Sequence, residues 1–218
     1  MRKVGKSYAE ISRTLGVSKS SLTRWLEGVE MSAFYKTKLL HGLEVSRVAA
    51  ANAKRTKRLE NTRSLIEAGK KDAHNTTSNL FLAGLFLYWA EGDKNKNERV
   101  KFTNSDEDMI RFMMKWFREE CHVPESKFRI ALHVHDIMSN NDPVGYWSKI
   151  TGVDKKQFQK VYVKKSSLRQ RRNVLYNGTC AIVVSDKALF RRMQGWRIGT
   201  LERFGICPRS STDRTLAF

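Results

Sequence analysis

Residues Asn79–Lys94 read NLFLAGLFLYWAEGDK, an uncharged and almost wholly apolar run from Leu80 to Ala90 that stops at Glu91, Gly92 and Asp93. Such a run predicts a buried helix. It is too short for a bilayer, which needs about 20 apolar residues, and it ends in charge. Two readings of its end stay open on this stretch alone. Glu91 and Asp93 are an ordinary polar stop with Gly92 as a left-handed cap, or the helix exists to present the Glu91 carboxylate, with Asp93 assisting.

Downstream, ERVKFTN predicts a strand entered through the turn-forming KNKN, followed by a helix capped by Asn104 or Ser105 with acidic residues 106–108 in its first turn. Apolar residues at 109, 110, 112, 113, 116 and 117 give that helix a broad buried face. KFRIALHVHD alternates as a strand, with Phe128, Ile130, Leu132 and Val134 on one side. A helix over PVGYWSKITGV, strands over FQKVYVKK and GTCAIVVSD, and a helix from Lys187 through Trp196 complete the order. FTNSDEDMIRFMMKW and IVVSDKALFRRMQGW echo one another, each with Trp eleven residues after Ser (Ser105 to Trp116, Ser185 to Trp196).

Upstream, residues 7–28, SYAEISRTLGVSKSSLTRWLEG, have the spacing of two short helices joined by a tight turn. Ile11 and Leu15 form one apolar stripe, and Leu22, Trp25 and Leu26 the other. Gly16 permits the turn, Ser18 caps the second helix, and Ser12 is the small residue at the crossing. Any two-helix turn gives part of this pattern; its polar, basic surroundings point further. From Phe34 to about Lys71 the chain holds no proline and is rich in helix formers, which predicts a long helix or helical pair with a basic face.

Over 218 residues, 41 Lys and Arg against 22 Asp and Glu leave a net charge of +19. Residues 1–75 carry 16 basic and 7 acidic groups, 76–160 carry 13 and 12, and 161–218 carry 12 and 3, so the excess sits at both ends of a near-neutral middle. That balance implies a polyanionic partner, nucleic acid rather than membrane, and steep salt dependence of binding. Cys121, Cys180 and Cys207 are odd in number and far apart, which argues against a disulfide framework or thiolate zinc site and fits a reducing cytoplasm. The N-terminal MRKVGKSYAEIS has no apolar signal segment, so the expectation is a soluble, nucleoid-associated protein, bacterial, archaeal or phage-encoded.

Residues 7–28 resemble the helix-turn-helix of phage repressors and resolvases. The resemblance implies that the second helix enters the major groove, with Lys19, Ser20, Ser21, Thr23 and Arg24 facing DNA. From about Asn79 to Arg197, the apolar helix ending in Ala-Glu-Gly, the hairpin, the FTNSD strand exit and the following helices and strands resemble the LAGLIDADG homing-endonuclease fold. That resemblance implies a Mg2+-dependent, site-specific double-stranded DNA endonuclease. Glu91 is then the metal-holding acid, Asn104 a residue that orders the attacking water, and Lys164 or Lys165 a stabiliser of developing charge. Only one such helix is present, so a homodimer through residues 80–91 is implied. The family's glycine usually lies five residues before the acid, where this chain has Phe86; Ala83, Gly84, Ala90 and Gly92 remain as small residues for pairing.

The expected architecture is therefore α+β: an all-α helix-turn-helix (1–32), a basic helical linker (33–75), an αββα-type domain with a mixed or antiparallel sheet (76–205) and a tail (206–218). Lys54, Arg55, Lys57 and Arg58 with Arg63 suit a phosphate backbone. Lys165, Arg169, Arg171 and Arg172 in KKSSLRQRRN form a candidate phosphate arm. Rival readings remain: Asn104 as a helix cap, the lysines as phosphate clamps, the basic helix as a solvated face, and His133 and His135 as surface residues rather than metal ligands. A non-cleaving transcriptional regulator on a degenerate LAGLIDADG domain is the alternative function, and an RNA-binding protein a third.

Overall fold

A computed structural model of the chain describes residues 1–93, 97–135, 142–164 and 177–207; of His135 and Lys164 it describes the backbone alone. The fold is mixed α+β, in two compact units, Met1–Glu60 and Asn61–Phe218.

In the first unit, α1 (Tyr8–Leu15) and α2 (Lys19–Trp25) are joined by residues 16–18. Ser7 and Glu10 form a reciprocal cap at the start of α1: Glu10 N–H donates to Ser7 Oγ at 3.2 Å, and Ser7 N–H donates to the Glu10 carboxylate at 2.7 Å. Gly16 takes φ +67 with open space around it, so its need for glycine is conformational. The Ser12 hydroxyl donates to Val17 O at 2.6 Å across the turn, and Ser18 Oγ accepts Ser21 N–H at 3.1 Å. Ile11 and Leu22 are buried, each 2% exposed, whereas Leu15 and Trp25, expected inside, are 57% and 64% exposed. Both are the last residues of helices only two turns long, beyond the crossing that Ile11 and Leu22 fill. The long basic segment forms one helix, α3 (Ala33–Asn75), rather than a pair, and residues 40–58 are exposed on every side.

In the second unit, the last turns of α3 bury Thr62, Ile66, Gly69 and Ala73. The helix α4 (Asn79–Glu91) starts on a Ser78 cap and buries only one side, Phe81, Gly84, Leu85 and Tyr88. Then come β1 (Val100–Asn104), α5 (Glu107–Glu119), β2 (Phe128–His135), α6 (Pro143–Thr151), β3 (Tyr162–Lys164), β4 (Thr179–Val184) and α7 (Lys187–Arg203). The strand expected over FQKVYVKK is shorter, three residues, with Phe158 making an isolated bridge to Ile130. The final helix runs past Trp196 to Arg203. Asp106, not Asn104 or Ser105, caps α5, and Asp186 caps α7 in the matching place.

The strands form one sheet in the order β1-β4-β2-β3, with β4 antiparallel to both neighbours and β3 parallel to β2. Alternation sorts the side chains onto two faces. Val100, Phe102, Phe128, Ile130, Leu132, Cys180, Ile182 and Val184 enter the main core with Trp116, Phe117, Trp147, Met193 and Trp196 from the helices. Ala131, Ala181 and Val183 make a separate cluster on the other face, to which no described helix contributes.

Candidate nucleic-acid interface

The second face of the sheet is built in rows by the strand register. Lys101, Val183 and Arg129 lie side by side; Thr103, Ala181 and Ala131 form the next row; Thr179, His133 and Tyr162 the third. Small residues line the middle, and Lys101, Thr103, Arg129, Thr179 and Tyr162 surround them. His133 stacks on Tyr162, with ring centroids 5.1 Å apart and planes 16° from parallel. One guanidinium nitrogen of Arg129 donates to Ser126 O at 2.8 Å and Phe128 O at 2.6 Å, which fixes the base of an otherwise exposed head. Asp93 is a near neighbour of this face, with its carboxylate 4.0 Å from Lys101 Nζ. Lys101, Arg129 and Tyr162 were not singled out in the sequence; the alternation of KFRIALHVH was the available signal, since it puts Arg129, Ala131, His133 and His135 on one side.

Glu91 ends α4 at the margin of this face. Gly92 pairs with Phe102, and Asp93 N–H donates to Lys101 O at 2.9 Å, so Glu91 precedes that pair on the Thr103 side. Gly92 is not a left-handed cap: its φ is −69 and its ψ 150, an extended conformation leading into the sheet. A Cβ there would lie 2.3 Å from Tyr88 O, so the position needs glycine for close approach. The Glu91 side chain is exposed, while Tyr88 one turn before is buried, and burial pushes its phenol up to about 12. Among the described residues no three His, Cys, Asp or Glu converge as a preformed metal cage. A single exposed carboxylate suits Mg2+, which keeps its waters and takes one or two carboxylates together with phosphate oxygens.

Asn104 is occupied in the turn after β1. Its Oδ1 accepts the N–H groups of Ser105 at 2.7 Å and Asp106 at 3.0 Å, and its Nδ2 lies 3.0 Å from Met109 Sδ. The backbone of Lys164 pairs with His135 in the β2·β3 ladder; Lys165, Arg169, Arg171 and Arg172 lie outside the described residues. His133 is engaged by Tyr162.

In the first unit, Lys19, Ser20, Thr23 and Arg24 are exposed and Ser21 is half-buried. Lys54, Arg55, Lys57 and Arg58 lie on the exposed stretch of α3, and Arg63 is exposed between the buried Thr62 and Ile66.

The uncovered side of α4 is aromatic. Phe86 and Trp89 are each 38% exposed, 6.1 Å apart, with Phe204 6.3 Å from Phe86 and the Arg197 guanidinium 5.6 Å from the Trp89 ring. Ala83 and Ala90 share this side, whereas Gly84 faces inward against Trp116. The small residues expected to form one pairing seam are therefore split between two sides of the helix.

No described helix is long and apolar enough to cross a membrane. No family model, curated protein or solved structure matches the chain.

Proposed function

We propose that the chain is a sequence-specific double-stranded DNA-binding protein, acting as a homodimeric, Mg2+-dependent endonuclease of the LAGLIDADG type with a helix-turn-helix extending its footprint. The observation that carries this reading is the one-sided sheet: helices α3 to α7 build the core on one face, and the other offers Lys101, Arg129, the His133–Tyr162 stack and hydroxyls around a small-residue floor, with Glu91 at its margin. Cationic and hydrogen-bonding side chains on a shallow face suit the edges and phosphates of a duplex. The net charge of +19 supplies the long-range attraction.

Two strands must be cut and each chain brings one Glu91, so the uncovered aromatic side of α4 meets the same surface of a second copy. Glu91 would hold Mg2+ jointly with phosphate oxygens; when bound, the ion supplies Lewis-acid stabilisation of the charge that develops on the phosphate. Lys101 and Arg129 hold the neighbouring backbone in place.

The second reading, a regulator that binds without cutting, is favoured by Asn104, whose amide is committed to the turn it caps rather than directed to a water. One experiment separates the two. Purified protein is incubated with duplexes from its own genomic neighbourhood, with Mg2+ or with EDTA, and the bound and the cut molecules are sequenced. The nuclease reading expects Mg2+-dependent double-strand breaks that Glu91→Gln abolishes while binding persists. A metal-independent footprint without breaks leaves the regulator; retention of folded RNA in place of duplex sinks both.

A further inference from the structure

We infer that Arg24 is the base-reading residue of the first unit and that it selects a guanine, an inference that rests on the duplex-binding reading above. At about 100° per residue, Arg24 sits about 160° around α2 from Leu22, the residue that buries the helix. Its side chain therefore leaves from the middle of the outward side.

The other candidates on that helix are committed elsewhere. Ser18, Ser20 and Ser21 share a hydroxyl cluster, with Ser18 Oγ 2.9 Å from both partners and accepting Ser21 N–H at 3.1 Å. The Thr23 hydroxyl donates to Lys19 O at 2.9 Å. Lys19 stands at the helix start, about 60° from the buried direction, so its ammonium leaves from the flank of the helix rather than from the middle of its outward side. Arg24 makes no hydrogen bond or ion pair with any described residue, so its whole donor fork is available.

Its surroundings decide between phosphate and base. Arg24 lines a groove with Tyr8, Ser20, Thr23, Glu27 and Glu30. The two carboxylates repel a phosphate there but leave an uncharged base edge unopposed. Among base edges, guanine offers two acceptors, N7 and O6, that match two parallel guanidinium donors; adenine places a donor where the second acceptor would be, and thymine has one acceptor.

The test is selection of sites from a randomised duplex library by the full chain, followed by affinities on the selected duplex and its single-base variants at several salt concentrations. Wild type should discriminate against replacement of one G·C pair by about 5- to 150-fold. Arg24→Lys and Arg24→Ala should both lose discrimination at that pair alone, with Arg24→Lys keeping its salt slope. Uniform weakening of all duplexes by Arg24→Ala, with a salt slope lower by about one, would make Arg24 a phosphate contact and overturn the inference. Selected sites whose preferences are unchanged in both variants overturn it as well. Those results leave duplex binding standing, whereas a wild type that retains no duplex sinks the functional reading too.

Discussion

The indoles of Trp116 and Trp196 meet edge to face, ring centroids 6.1 Å apart. They are the two tryptophans that lie eleven residues after Ser105 and Ser185. Each N–H leaves the contact in a different direction: Trp116 Nε1 donates to Phe81 O on α4 at 3.2 Å, and Trp196 Nε1 to the Asp72 carboxylate on α3 at 2.8 Å. Phe81 closes the group, 5.1 Å from Trp196. The pair thus holds α3, α4, α5 and α7 together on the helical side of the sheet, with buried polar ends satisfied.

Gly84 makes room for this arrangement. A Cβ at Gly84 would lie 2.1 Å from Cδ1 of Trp116, so Gly84→Ala must displace the indole and strain its contact with Trp196. The expected cost is about 1–3 kcal/mol. Denaturant unfolding should show the lowered midpoint together with an altered near-UV tryptophan signal; wild-type stability in the variant would refute the packing.

Gly195 and Gly69 test a harder contact. Their added Cβ atoms would lie 2.1 Å from Ile66 O and Arg192 O respectively, backbone atoms of the facing helix that cannot rotate aside. Gly195→Ala should therefore cost more than Gly84→Ala, about 3 kcal/mol or above, despite the better helix propensity of alanine. Gly42, with open space around it on the exposed part of α3, is the control. There alanine should stabilise by up to about 1 kcal/mol. A reversed order between Gly195 and Gly42 in thermal melts would mean that α3 and α7 do not approach this closely.

Local signals carried much of this fold. The alternation of Phe128, Ile130, Leu132 and Val134 gave β2 and its buried side, and the Ser-Asp echo gave two strand-to-helix exits, although Asp106 and Asp186 do the capping. What stayed hidden depends on distant partners. An α4 that is apolar all round does not say which side is buried, so Gly84 and Ala83 could not be told apart by sequence. The rows that join Lys101 to Arg129 through Val183 exist because β4 lies between β1 and β2, an order no local pattern encodes. Leu15 and Trp25 were misplaced because periodicity gives a direction around a helix, not whether the partner extends far enough to cover its end.

Asp72 should make acid stability depend on the α3·α7 contact. Burial opposes its charge, but Arg192, with bonds of 2.6 and 2.9 Å, and the Trp196 N–H hold its carboxyl below the ordinary value of 3.8. A depressed folded value means that the contribution is fully present above the unfolded value and is lost as pH falls through the folded one. Asp72→Asn should lower stability by about 1–2 kcal/mol at neutral pH, allowing for the partial exposure of the pair. The gap between wild type and variant should then close below about pH 4. Equilibrium unfolding from pH 7 to pH 3 checks this; a gap independent of pH would remove Asp72 from the acid response.

Self-association through α4 is the last expectation, and the aromatic side makes it measurable. Phe86 and Trp89 are half-exposed, carry Phe204 beside them, and belong to a helix whose other side is already packed on the core. In a two-fold dimer each substitution acts twice. If each ring is worth about 2 kcal/mol, Phe86→Asp should weaken dimerisation about a thousandfold or more. Wild type should sediment as a dimer at micromolar concentration, and Phe86→Asp and Trp89→Glu as monomers with unchanged circular dichroism. Loss of double-strand cutting alongside persistent single-strand nicks or binding would tie the interface to the paired Glu91 carboxylates; a monomeric wild type that still cuts both strands would break that link.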